Sequence, residues 1–74
     1  MIEVTSHAKG NHEIHTQHDG QRIVLVHVRK SGELVMGGKF RTGGFGIEWV
    51  ALLLEALKMA VDIQSDLLTS NGSR

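Results

Sequence analysis

Two periodicities divide the chain. From Ile2 to Arg41, apolar and polar residues alternate in short runs separated by glycine-containing turns; from Gly46 to Leu68, apolar residues recur at three- and four-residue spacing. The first pattern predicts strands and the second a single long helix. In a helical projection Glu48, Glu55, Lys58, Asp62, Ser65 and Asp66 share an arc of about 100°, and apolar residues cover most of the remaining circumference. That apolar arc is too wide for one packing surface and resolves into two seams. Trp49, Leu52, Ala56, Met59 and Ile63 form one; Val50, Leu54, Leu57, Val61 and Leu68 form the other. Two seams imply two packing partners. The expectation is that one covers the chain's own sheet, and that Val50, Leu54, Leu57, Val61 and Leu68 form the interface of a homodimer.

The first part reads as four strands. Ile2 to His7 places Ile2 and Val4 on one face and Glu3, Thr5 and His7 on the other, and Lys9-Gly10-Asn11 turns the chain. His12 to His18 puts Ile14 and Thr16 inward with His12 and His18, and Glu13, His15 and Gln17 outward. Asp19-Gly20 predicts a type I′ hairpin turn, since both residues accept positive φ cheaply. Gln21 to Arg29 sets Ile23, Leu25 and His27 against Arg22, Val24, Val26 and Val28, which predicts a central strand covered on both faces. After Ser31-Gly32, Glu33 to Arg41 makes the fourth strand, with Gly37-Gly38 marking a bulge or a close backbone approach. Thr42 to Gly46 is the reversal into the helix. The prediction is an α+β domain: a four-stranded antiparallel meander followed by one long C-terminal helix (ββββα) spanning residues 1–68, with residues 69–74 as a disordered tail.

Composition supports association. A domain of 74 residues buries only about 60% of the surface its unfolded chain exposes, and with no cysteine it has no disulfides to supplement its core. Oligomerisation is the remaining supplement. Absence of cysteine, and an N-terminus without a basic and then apolar leader, fit a cytoplasmic protein. Glu55, Lys58 and Asp62 interrupt the helix, so no membrane span is expected. Net charge is zero but unevenly spread. Residues 1–46 hold six basic residues (Lys9, Arg22, Arg29, Lys30, Lys39, Arg41) against four acidic ones, a balance of +2; residues 47–74 hold two against four, a balance of −2. All five histidines lie in the first part.

Three groups of residues can carry chemistry. Gly37 to Gly46 combines glycines with Lys39, Arg41 and Thr42 just before a helix N-terminus, a setting for an anion or simply a hinge; it matches neither a Walker loop nor a dinucleotide fingerprint. His12, His15 and His18 would align on a helical turn, but on a strand His12 and His18 share one face and His15 opposes them. Hydrogen-bonded histidines are therefore expected, with no metal and no cofactor. His27, inside an apolar strand, is expected in a core or interface. Arg22, Arg29, Lys30, Lys39 and Arg41 fall on strands three and four, close enough to form one basic edge. No nucleophile elbow, metal-ligand helix or carboxylate pair is recognisable, so an enzyme is not expected.

The meander, the basic glycine-containing loop and the C-terminal helix, together with Arg41-Thr42-Gly43-Gly44 and Glu48-Trp49, resemble over residues 21–63 the single-stranded-DNA-binding fold of the positive-cofactor family of transcriptional coactivators. The resemblance implies a dimer formed through the helix and nucleic acid on the sheet. The chain departs from that pattern in its neutral charge, in lacking a lysine-rich sheet and in its more apolar helix. Two function classes follow. One is a homodimeric, non-enzymatic regulator or inhibitor that binds another protein, such as an accessory protein of a phage or mobile element. The other is a single-stranded DNA or RNA binder. Either would use Arg22, Arg29, Lys30, Lys39, Arg41, Thr42 and Phe45.

Overall fold

A computed structural model describes residues 2–72. Its elements are β1 (Ile2–Ser6), β2 (His12–His18), β3 (Gln21–Val28), β4 (Leu34–Met36), the single turn α1 (Lys39–Thr42) and the long helix α2 (Ile47–Gly72). The strands form one antiparallel sheet in the order β1-β2-β3-β4. This is the α+β meander with a C-terminal helix that the hydrophobic pattern predicts.

The turns follow from their glycines. Asp19 and Gly20 take φ of 52° and 76°, as a type I′ turn requires. The β1–β2 and β3–β4 turns are built alike. In the first, His7 N–H donates to the Asn11 carbonyl (2.8 Å) and Gly10 N–H to that of His7 (2.9 Å); in the second, Arg29 N–H donates to Glu33 (2.8 Å) and Gly32 N–H to Arg29 (2.8 Å). Gly10 and Gly32 sit at φ 87° and 95°, where a side chain is strained. Both turns lie at the same end of the sheet, and the Lys30 N–H donates to Asn11 Oδ1 across them at 2.8 Å.

β3 departs from the predicted alternation. Ile14 pairs with Val26 but His15 pairs with Val24, so Leu25 is an extra residue without a partner on β2. This bulge reverses the phase of the strand halfway along. Ile23, Leu25, Val26 and Val28 all reach the helix side, where Leu25, Val26 and Val28 are fully buried with Ile14. The opposite face keeps Arg22, Val24 and His27, and no described element covers it. Within the single chain β3 is covered on the helix side only: His27, expected in a core or interface, pairs with Glu13 and Val35 on the other face, is half-buried and so is not part of the chain's own core.

The bulge also ends β4 early. Gly37 N–H donates to the Leu25 carbonyl at 2.9 Å, and a methyl group built on Gly37 would stand 1.8 Å from the Val24 carbonyl oxygen. The chain passes there only as glycine. Beyond it the ladder stops, and Phe40 and Arg41 N–H close a helical turn on the Gly37 and Gly38 carbonyls at 3.0 and 3.3 Å. The predicted fourth strand from Glu33 to Arg41 therefore shortens to Leu34–Met36, and Lys39–Thr42 is helical.

α2 lies on the buried face. Trp49, Leu53, Ala56 and Ala60 are buried against the sheet, and Leu52, Met59, Ile63 and Leu67 pack beside them. Ala56 and Ala60, with no exposure, let the helix approach closely. Each fully buried aliphatic on the sheet contributes about 1.5–3 kcal/mol of apolar burial. The helix passes the expected end at Leu68 and continues through Thr69 to Gly72; residues 73–74 of the expected tail lie outside the described residues. Among the described residues no helix is long and apolar enough to cross a membrane.

The glycine pair gives a paired prediction. Gly37→Ala should lose about 3 kcal/mol or more by urea unfolding, because backbone must move to admit the methyl group. Gly38 is in right-handed helical geometry with open space around it, so Gly38→Ala should gain up to about 1 kcal/mol. Equal losses at both positions would refute the close approach.

Candidate functional site

The outer face of the sheet is polar and internally paired. Register places Thr5, Glu13, His15, Gln17, Arg22, Val24, His27 and Val35 on it. The Arg22 guanidinium donates to Glu13 Oε1 and, at 3.1 Å, to Thr5 Oγ1. Thr5 Oγ1 in turn lies 2.9 Å from His15 Nε2. His15 was predicted to face out, and it does, yet only 5% of it is exposed because its neighbours close over it. Its Nδ1 is buried without a hydrogen-bond partner. The Thr5 hydroxyl can accept from Arg22 and still donate or accept at Nε2; with the proton on Nε2 the buried Nδ1 is a bare acceptor, and with it on Nδ1 a donor without a partner.

The basic residues do not gather along one edge. Arg22 stands at the opposite end of β3 from Arg29, about 23 Å away at ~3.3 Å per residue, and is committed to Glu13. At the other end, where the two similar turns meet, a cavity of about 380 Å³ is lined by His7, Asn11, His12, His27, Val28, Arg29, Val35 and Arg41. Arg29 Nε is 3.6 Å from Glu33 Oε1, an exposed pair. Lys30 lies in the adjoining turn, its stem against Gly10. Among the described residues Arg41 has no ion pair.

The loop before α2 forms an aromatic cluster. Trp49 meets the His18 ring at 5.0 Å and the Phe40 ring at 5.5 Å, and Phe40 meets Phe45 edge-on at 5.2 Å. Lys39 Nζ sits 5.1 Å from the Trp49 ring centroid, so this cation is partly satisfied within the fold. Phe45 stays 40% exposed; the side chain of Thr42 lies outside the described residues. A methyl group on Gly46 would meet Glu48 Oε1 at 2.6 Å. The chain's own carboxylate therefore folds back over the start of α2, where an external anion would have to sit.

The second seam of α2 is exposed. Val50, Leu54, Val61 and Leu68 show 37%, 59%, 49% and 53% of their surface, while Leu57 is half-buried. Ile47, which the two-seam reading omitted, is 82% exposed and starts the same stripe. The spacing 47-50-54-57-61-64-68 alternates three and four, and could have been extended to Ile47 from sequence. Gln64, the one polar member, donates its amide to the Gly32 carbonyl at 2.7 Å. Leu54, Leu57, Lys58, Val61 and Asp62 border a shallow groove.

His12, His15 and His18 do not converge, because His15 is on the opposite face of β2 from the other two. Among the described residues no group of three or more His, Cys, Asp or Glu is placed to hold a metal ion. Comparison with known proteins assigns no relatives: no family model, curated protein or solved structure matches the chain.

The orphaned nitrogen gives a stability prediction. His15→Leu keeps a similar volume and removes the unpaired atom, so urea unfolding should show it neutral to about 1 kcal/mol more stable. A loss of more than about 1 kcal/mol would show that the imidazole is better satisfied than its contacts indicate.

Proposed function

We propose that the protein is a small, non-enzymatic regulator or inhibitor that acts as a homodimer by binding another protein. The observation that carries this reading is the exposed stripe from Ile47 through Val50, Leu54, Leu57 and Val61 to Leu68, a heptad-like apolar surface on a domain that has no disulfide to stabilise it. Both ends of the stripe are apolar, so two antiparallel copies related by a two-fold axis can cover it along its length.

The charge arrangement favours a protein over nucleic acid as the second partner. Arg22 is held by Glu13, Arg29 faces Glu33 and Lys39 lies against Trp49. Register places no phenylalanine, tyrosine or tryptophan on the outer face for a base to stack on. The partner-facing surface is then the outer sheet together with the loop from Lys39 to Phe45. The non-enzymatic reading is supported by the two concavities described: Leu54, Leu57 and Val61 with Lys58 and Asp62 border one, two arginines, three histidines, an asparagine and two valines line the other, and neither lining sets a serine, threonine or cysteine beside a base.

Two measurements test this. Light scattering at micromolar concentration should give twice the chain mass. Leu54→Lys should give the monomer mass with unchanged circular dichroism, because Leu54 is 59% exposed and contributes little to the single-chain core; a wild-type monomer refutes the dimer. A labelled single strand of about 20 nucleotides should show no binding that weakens steeply with salt. Micromolar, salt-steep binding would replace the protein-binding reading with the nucleic-acid one.

A further inference from the structure

The cavity between the two turns has a lining that neither self-association nor protein binding explains. His7 and Arg29 occupy equivalent positions, each opening one of the two similarly built turns, and each follows a helix-side residue, Ser6 or Val28, so that alternation carries both onto the outer face. Clipping of the turns by Asn11 and Lys30 sets them side by side. His27 adds an imidazole between them from β3, His12 another from β2, and Arg41 reaches in from α1. Two acids lie nearby: Glu33 is spread against Arg29 Nε, and Glu13, beside His27, is held by Arg22. Neither lines the cavity. Val28 and Val35 supply apolar wall.

We propose that this cavity binds a small organic phosphate. Arg41, unpaired among the described residues, and the Nη groups of Arg29 grip the phosphate oxygens as two forks. His7, His27 and the Asn11 amide can add donors at the rim, and Val35 meets the non-polar body of the ligand. Two guanidinium groups with several imidazoles offer more donors than the two oxygens of a carboxylate use, which points to phosphate. The volume of about 380 Å³ exceeds a bare phosphate and lies within the range of small-ligand sites. The inference goes beyond the dimer, and its cavity shares Arg29, Arg41, His27 and Val35 with the partner-facing surface.

Phenyl phosphate and inorganic phosphate are the probes, titrated into the full chain at low salt while NMR follows the imidazole signals of His7 and His27. Both should saturate, phenyl phosphate several-fold tighter through its ring. Arg41→Ala should weaken phenyl phosphate about tenfold and Arg41→Lys less, since a lysine keeps the charge but loses the fork. Lys58→Gln removes one positive charge from α2 and should change nothing; strand amide signals report that each variant folds. Leu54→Lys should bind as the wild type does, which separates this site from the fate of the dimer. Absence of saturation, or equal weakening by Lys58→Gln and Arg41→Ala, overturns the proposal. So does displacement of phenyl phosphate by a single strand of about 20 nucleotides at matched phosphate concentration, which would make the cavity a nucleic-acid contact.

Discussion

The extra residue in β3 governs the rest of the molecule. Leu25 has no partner on β2, and its carbonyl is taken by the Gly37 N–H. Because the phase changes there, Leu25, Val26 and Val28 all contribute to one buried face, more than a regular strand of that length supplies. The same distortion pushes the Val24 carbonyl against Gly37, halts β4 after Met36 and releases the chain into α1. Phe40 is thereby delivered to Trp49, and α2 is anchored at its start. One backbone irregularity thus sets the core, the length of the sheet edge and the seat of the helix.

Much of this was legible in the sequence because it rests on local rules. Asp19-Gly20, the two seams of α2, the alternation of β1 and β2 and the meander order follow from positive-φ turn chemistry and from periods of two and 3.6 residues. The bulge was not legible. A run such as Ile23-Val24-Leu25-Val26 is apolar at every position, so shifting its phase by one residue leaves the pattern equally plausible. The expectation of apolar cover on both faces of β3 and the extension of β4 to Arg41 both descend from that ambiguity. Gly37-Gly38 did signal a close approach, but not which of the two glycines makes it.

The candidate site was legible in its residue types and not in its grouping. Arg29 and Arg41 are brought together by the end of β3 and by α1, while Arg22 is carried to the far end and neutralised. His7 and His27 join Arg29 and Arg41 only because the hairpin ends align through Asn11 and Lys30, a contact between residues 19 apart in sequence. At the glycine-rich loop Glu48 folds over Gly46 and takes the place an anion would need. The exposed seam, by contrast, depended on helical spacing alone and was visible at once.

The early halt at Gly37 has a consequence for the margins of the sheet. β4 offers three residues before the chain turns away, and the α1 turn follows directly; a further strand could pair there only briefly. β1 pairs all five of its residues with β2 and leaves its other side free among the described residues, with Val4 40% exposed. The sheet is therefore blunt on one margin and extensible on the other. An incoming strand, from a binding partner or from a misassembled copy, has one place to join.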